Sequence, residues 1–189
     1  MYINYMKTIT QTYTNTYQIN RSKFIAYLTP INEFKSLQKK LKLENPKANH
    51  IVYALRELNE YEQIVENSSD DGEPKGCAGV PTLNVLRGRE IINVAVLIVR
   101  YFGGIKLGTG GMARAYGSAT KEVIDIALLC KYQKIVEYKF DTSYSQVDKT
   151  LYLLKQLNIT SFERDFGIDG VGWIVRGDEV SLEKLKGIV

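Results

Sequence analysis

Three cations and five glycines share one short stretch of this 189-residue chain. Residues 99–116 read Val-Arg-Tyr-Phe-Gly-Gly-Ile-Lys-Leu-Gly-Thr-Gly-Gly-Met-Ala-Arg-Ala-Tyr, with Gly103, Gly104, Gly108, Gly110 and Gly111 packed into nine residues. Arg100, Lys106 and Arg114 flank them. Glycine permits positive φ and close approach of a ligand to the backbone. A helix starting at the last glycines adds free N–H groups and a positive dipole end. The chemistry this points to is anion binding, of a phosphate above all. The alternative is a connector that needs glycine only to pack tightly over a sheet.

The pattern is not a standard nucleotide loop. Gly108 to Ala113 fits G-x-G-x-x-A, the outline of a dinucleotide site. A dinucleotide turn follows its strand tightly, whereas five residues separate Phe102 from Gly108. A Walker loop is excluded, because no lysine follows Gly108 at the required position.

A second cluster is acidic: Asp70-Asp71-Gly72-Glu73-Pro74. Asp70, Asp71 and Glu73 are candidates to hold Mg²⁺ through oxygen ligands, with a phosphate completing the shell. The favoured reading is that they cap the following helix. A third arrangement has an acid of this turn meeting Arg100 or Arg114 in a buried charge network, structural in role. Cys77 follows the turn, and His50 is the single histidine. Together they could form a nucleophile and base, but no third orienting residue is evident. One histidine and two separated cysteines do not supply the ligand set of a zinc site. No cofactor is called for. Tyr2, Tyr5, Tyr13 and Tyr17 offer aromatic surfaces for bases, although packing on a strand explains them as well.

The elements that position these groups follow from periodicity. Residues 6–17 and 21–28 read as paired strands, closed by Pro30. Asn32 is the expected cap of a helix with Phe34, Leu37 and Leu41 on its apolar stripe. Lys35, Lys39 and Lys42 occupy the other face, either as a solvated surface or as an extension of a phosphate footprint. His50 to Leu58 is a further strand, and Pro74 is expected near the first position of the next helix. Ile91 to Val99 is almost wholly apolar and β-branched, the pattern of a central strand buried on both faces. Met112, Ala115, Ala119, Val123, Ile126 and Cys130 recur at helical spacing, which predicts a helix of about 20 residues with Cys130 in the core. Beyond Lys131 the order is strand, helix, two strands and helix, a ferredoxin-like α+β unit short of its last strand. The expected domains are 1–131 and 132–189.

Composition bounds the function. Apolar residues make up 44% and charged residues 24% of the chain, values usual for globular proteins. No apolar run is long enough to span a membrane, no secretion signal is visible, and the two cysteines fit a reducing, cytoplasmic setting. The net charge is +4. Residues 1–131 carry 17 basic against 12 acidic residues, and residues 132–189 carry 8 against 9. A polyanion is therefore expected on the first part.

The acidic turn, Ala78-Gly79, Asn93-Val94, the whole run 99–111 and Arg114-Ala115-Tyr116 together resemble the IMPACT family, in its bacterial, YigZ-type branch. Arg21 to Ile25 and Asn49-His50 fit as well. One departure is Cys77, where the family usually has threonine, and this counts against a cysteine nucleophile. The resemblance implies a fold like the second domain of a small-subunit ribosomal protein, with an antiparallel-leaning sheet backed by two helices. It also implies a small ferredoxin-like C-terminal domain, a pair similar to the last two domains of elongation factor G. Eukaryotic members restrain a translation kinase. For bacterial members the implied partners are RNA, the ribosome or a protein of translation. On that basis Arg100, Lys106, Gly108, Gly110, Gly111 and Arg114 are the expected anion-binding residues. The alternatives are a Mg²⁺-dependent enzyme or sensor for a phosphorylated small molecule, and a protein–protein adaptor.

Overall fold

The computed structural model describes residues 6–189. The chain divides into two compact units, one ending at Tyr132 and the other running from Gln133 to Val189. No described helix is long and apolar enough to cross a membrane.

The first unit is built on a five-stranded antiparallel sheet. Its strands are β2 (Tyr13–Ile19), β3 (Ser22–Pro30), β4 (His50–Leu58), β5 (Ile64–Ser69) and β6 (Val94–Tyr101). They lie in the order β2-β3-β6-β4-β5. A small ribbon pairs β1 (Lys7–Thr8) with β7 (Cys130–Lys131). The first predicted strand is thus broken in two. Asn20 and Arg21, both at positive φ, make the two-residue turn between β2 and β3, the geometry that matches strand twist.

β6 is the central strand, and every residue from Val94 to Arg100 is buried. Its alternate residues enter two different cores. Val94, Val96 and Ile98 pack with α2 (Gly79–Gly88) and α3 (Gly108–Asp125) through Leu83, Leu86, Ala115, Ala119 and Val123. Ala95, Leu97 and Val99 face α1 (Phe34–Glu44) through Leu41, Phe34 and Leu37. Helices therefore cover both faces of the sheet, α2 and α3 on one and α1 on the other, where the resemblance implied a sheet backed by two.

Four local expectations are corrected. Asn32 caps nothing: it lies in a single 3₁₀ turn, Ile31–Glu33, and α1 begins after it without a side-chain cap. Pro74 sits in a turn, and α2 starts at Gly79, with Pro81 in its first turn, where a missing N–H costs nothing. α3 has 18 residues and ends at Asp125. Ile126 and Cys130 are consequently exposed rather than in the core. Cys130 belongs to β7 instead, where the chain turns away from helical spacing to pair with Thr8.

The second unit runs β8 (Ile135–Thr142), α4 (Val147–Gln156), β9 (Ser161–Phe166), β10 (Val171–Asp178) and α5 (Glu179–Lys186). The last strand in sequence, β10, lies between β8 and β9 and is antiparallel to both. Trp173, Val171 and Val175 of β10 form the core with Leu154, Leu182 and Leu185. The chain is thus an α+β protein with a five-stranded antiparallel sheet and a small three-stranded one.

Candidate functional site

The glycine-rich connector leaves the end of β6, crosses the β2–β3 turn and enters α3. Its start is fixed from below. Asn49 Oδ1 accepts the Phe102 amide at 2.8 Å, and Ser22 Oγ accepts the Gly103 amide at 3.1 Å. A Cβ on Gly103 would lie 2.1 Å from the carbonyl carbon of Arg21, so only glycine fits against that turn. Gly104 and Gly108 serve differently: both have positive φ, and a Cβ on either would meet open space.

Arg100 and the acidic turn meet beneath this connector. Arg100 is only 5% exposed, and its Nη1 donates to Glu73 Oε1, itself in a residue 7% exposed. The Tyr116 hydroxyl donates to the same oxygen at 2.7 Å. Burial first, then the hydrogen bond to Glu73, pushes the Tyr116 phenol far above its ordinary range, so it remains a donor. Arg100 Nη1 also lies 3.4 Å from Met112 Sδ. Its Nε, fully buried, has no hydrogen-bond partner among the described residues. The guanidinium carbon stands over two rings, 5.5 Å from the Phe24 centroid and 5.7 Å from that of Phe102. Arg100 is therefore buried and paired inside the fold rather than presented at the surface.

The remaining acidic residues have separate tasks. Asp70 accepts the amides of Gly76, Ala78 and Gly79 at 2.8, 3.0 and 2.8 Å, bridging the turn and closing the start of α2. Burial alone would raise its pKa, but these three amides outweigh it and hold the carboxyl below its usual value. Asp71 Oδ2 accepts the Ile51 amide at 2.6 Å, and its carbonyl lies 2.7 Å from His50 Nδ1. The three carboxylates point into three different environments. Among the described residues no group of three or more His, Cys, Asp or Glu side chains converges as a metal site would require.

His50 and Cys77 are not joined. His50 turns to Asp71 and brings Nε2 to 3.8 Å from Glu73 Oε2. Among the described residues the buried Cys77 thiol has only the Lys75 carbonyl, at 4.0 Å.

The other predicted cations are free. Lys106 and Arg114 are exposed, and neither pairs with a carboxylate among the described residues. Arg114 folds back along α3, so that a Cβ on Gly110 would lie 3.6 Å from its Nη1. This brings the guanidinium to the first turn of α3, whose N-cap, Leu107, offers no side-chain acceptor. Gly108, Thr109 and Gly110 are exposed there. A shallow cleft of about 480 Å³ continues from Arg114 along Gly117 and Ser118 to Lys121 and Arg89. Arg89 pairs with Asp125.

Lys35, Lys39 and Lys42 are also exposed, but on α1. That helix covers the face of the sheet opposite to α3. The two cationic regions do not form one surface. Tyr2 and Tyr5 lie outside the described residues, and Tyr13 and Tyr17 pack against the α3-side core. Two further residues belong here: Tyr116, named above only among the residues of the family resemblance, and Lys121. Tyr116 was legible in principle, since a tyrosine at a core position of a helix needs a partner for its hydroxyl.

A five-stranded antiparallel unit with a cationic, glycine-rich entry to its longest helix defines a class of protein. It is the class of the Impact N-terminal domain, whose family model matches residues 20–124. The chain belongs to the IMPACT family, in its bacterial, YigZ-type branch. It is 32% identical to an IMPACT family member of Haemophilus influenzae over 79% of this chain and 74% of the relative. It is 30% identical to IMPACT family member YigZ of Escherichia coli, again over 79% and 74%. A crystal structure described as that of a hypothetical protein superposes with a TM-score of 0.67 at 26% identity, covering 96% of this chain and 89% of the other.

Proposed function

We propose that this protein is a non-catalytic, translation-associated module that binds RNA or an RNA-bearing surface of the ribosome through the start of α3. The observation that carries this is the pairing of Lys106 and Arg114, exposed and uncommitted, with a helix N-terminus that no side chain caps. Free amides and a positive dipole end favour phosphate oxygens. Arg100 supports the site from inside rather than contacting the ligand. The engaged carboxylates of Asp70, Asp71 and Glu73 speak against a Mg²⁺-dependent enzyme.

Fold likeness adds to this reading. In the second unit, β10 between β8 and β9 is what a ferredoxin-like split β-α-β unit without its final strand would have. The first unit fits the ribosomal-protein-like fold that the family resemblance implies, and the setting we assign is the cytoplasm.

The test is fluorescence anisotropy with labelled RNA and with ribosomes across a salt series. Binding should weaken steeply with salt, and Arg114→Ala should lower the log–log slope by about 0.7 on single strands. Absence of salt-sensitive binding to every RNA and ribosome preparation would refute the proposal.

A further inference from the structure

Phe102 is the exposed aromatic at this site. It sits at the exit of β6, four residues before Lys106, and keeps 43% of its surface open to solvent. Its neighbour Ile105 is 45% exposed. A large apolar side chain left in water beside free cations gains by being covered. The ring is also held in place. Its amide is tied to Asn49, and the guanidinium of Arg100, anchored on Glu73, lies over it. The same guanidinium lies over the fully buried Phe24. Phe24, Arg100 and Phe102 thus form a stack that starts in the core and ends at the surface.

We infer that this stack is the platform for an unpaired nucleobase, which lies on Phe102 while its backbone phosphate meets Lys106, Arg114 and the first amides of α3. The inference rests on the proposed RNA-binding reading and narrows it to single strands. An aromatic platform pays only where base faces are accessible, and a duplex hides them between neighbouring pairs. Four residues of chain span at most about 14 Å, so ring and cation lie within reach of one short stretch of strand. Gly103 and Gly104 keep side chains out of the space between them. The charge pattern agrees: Lys106 and Arg114 follow the ring along the chain, exposed and unpaired among the described residues, and the Glu73 carboxylate is neutralised by Arg100.

The experiment uses the full chain with a fluorescein-labelled oligouridylate and an RNA duplex of equal length. The single strand should bind more tightly than the duplex. Phe102→Ala should weaken the single strand by about fivefold or more and leave the salt slope unchanged, since no phosphate contact is lost. Phe102→Trp should retain binding. Phe102→Leu keeps an apolar side chain at the same place and should weaken binding as the alanine variant does, which separates stacking from folding. Equal affinity for duplex and single strand, with Phe102→Ala indistinguishable from wild type, overturns this inference and leaves RNA binding standing. No salt-sensitive binding to either probe overturns both.

Discussion

Glu73 and Arg100, 27 residues apart in sequence, form an ion pair buried between the sheet and α3, with the Tyr116 hydroxyl on the same carboxylate oxygen. The pair joins the acidic turn to the central strand, and the glycine connector runs out from that strand. Each partner exists in this environment only because the other is there.

Removing both charges should therefore cost less than the two single losses added together. Glu73→Gln leaves a buried guanidinium, and Arg100→Met leaves a buried carboxylate. Each should destabilise the fold by about 3–5 kcal/mol. The double variant Glu73→Gln/Arg100→Met should cost less than the sum of the two. Urea denaturation of the four proteins measures this. Additive losses would mean that the two side chains do not depend on each other.

Asp70 gives the fold a dependence on acid. Its folded pKa lies below the unfolded value of 3.8, the backbone amides having overcome burial. A depressed carboxylate contributes stability that is complete above the unfolded pKa and is lost as pH falls through the folded one. The stability difference between wild type and Asp70→Ala should be about 1–2 kcal/mol near neutrality. It should shrink only below about pH 4. Denaturation midpoints across that range check it, and a difference that grows on acidification would contradict the assignment.

The central strand was legible because burial on both faces leaves no polar position from Val94 to Val99. The buried stripe of α3 was legible through Met112, Ala115, Ala119 and Val123. The helix end was not, because Ile126 and Cys130 continue the spacing while the chain has already left the helix to form β7. The site divides in the same way. Cations beside glycines announce an electropositive entry, but a sequence does not say which cation faces inward. Arg100 is the last residue but one of a strand whose even-numbered residues fill the α3-side core, and that alternation, extended from Val94, Val96 and Ile98, places it inside.

The glycines should separate under substitution. Gly103→Ala drives a Cβ into the Arg21 backbone and should unfold the connector, lowering stability by more than about 1 kcal/mol. Gly110→Ala meets only the end of the Arg114 side chain at 3.6 Å. It replaces glycine in a helix, and should raise stability by up to about 1 kcal/mol. If phosphate approaches the backbone of this turn, the same variant should bind RNA more weakly than wild type although it is more stable. Thermal unfolding and anisotropy on one preparation resolve the two effects. Undiminished RNA affinity in Gly110→Ala would move the contact away from this turn.

The lysines of α1 provide the opposite test. Lys35, Lys39 and Lys42 lie on the helix that covers Ala95, Leu97 and Val99, whereas α3 covers Val94, Val96 and Ile98. A strand lying along the start of α3 has the sheet between it and those lysines. Within about 8–10 Å of screening length at physiological salt, their charge adds little to the binding face. The triple variant Lys35→Ala/Lys39→Ala/Lys42→Ala should keep the RNA affinity of wild type within about twofold, and its salt slope should not change. A reduced slope would show that the ligand wraps around the edge of the sheet and uses both faces.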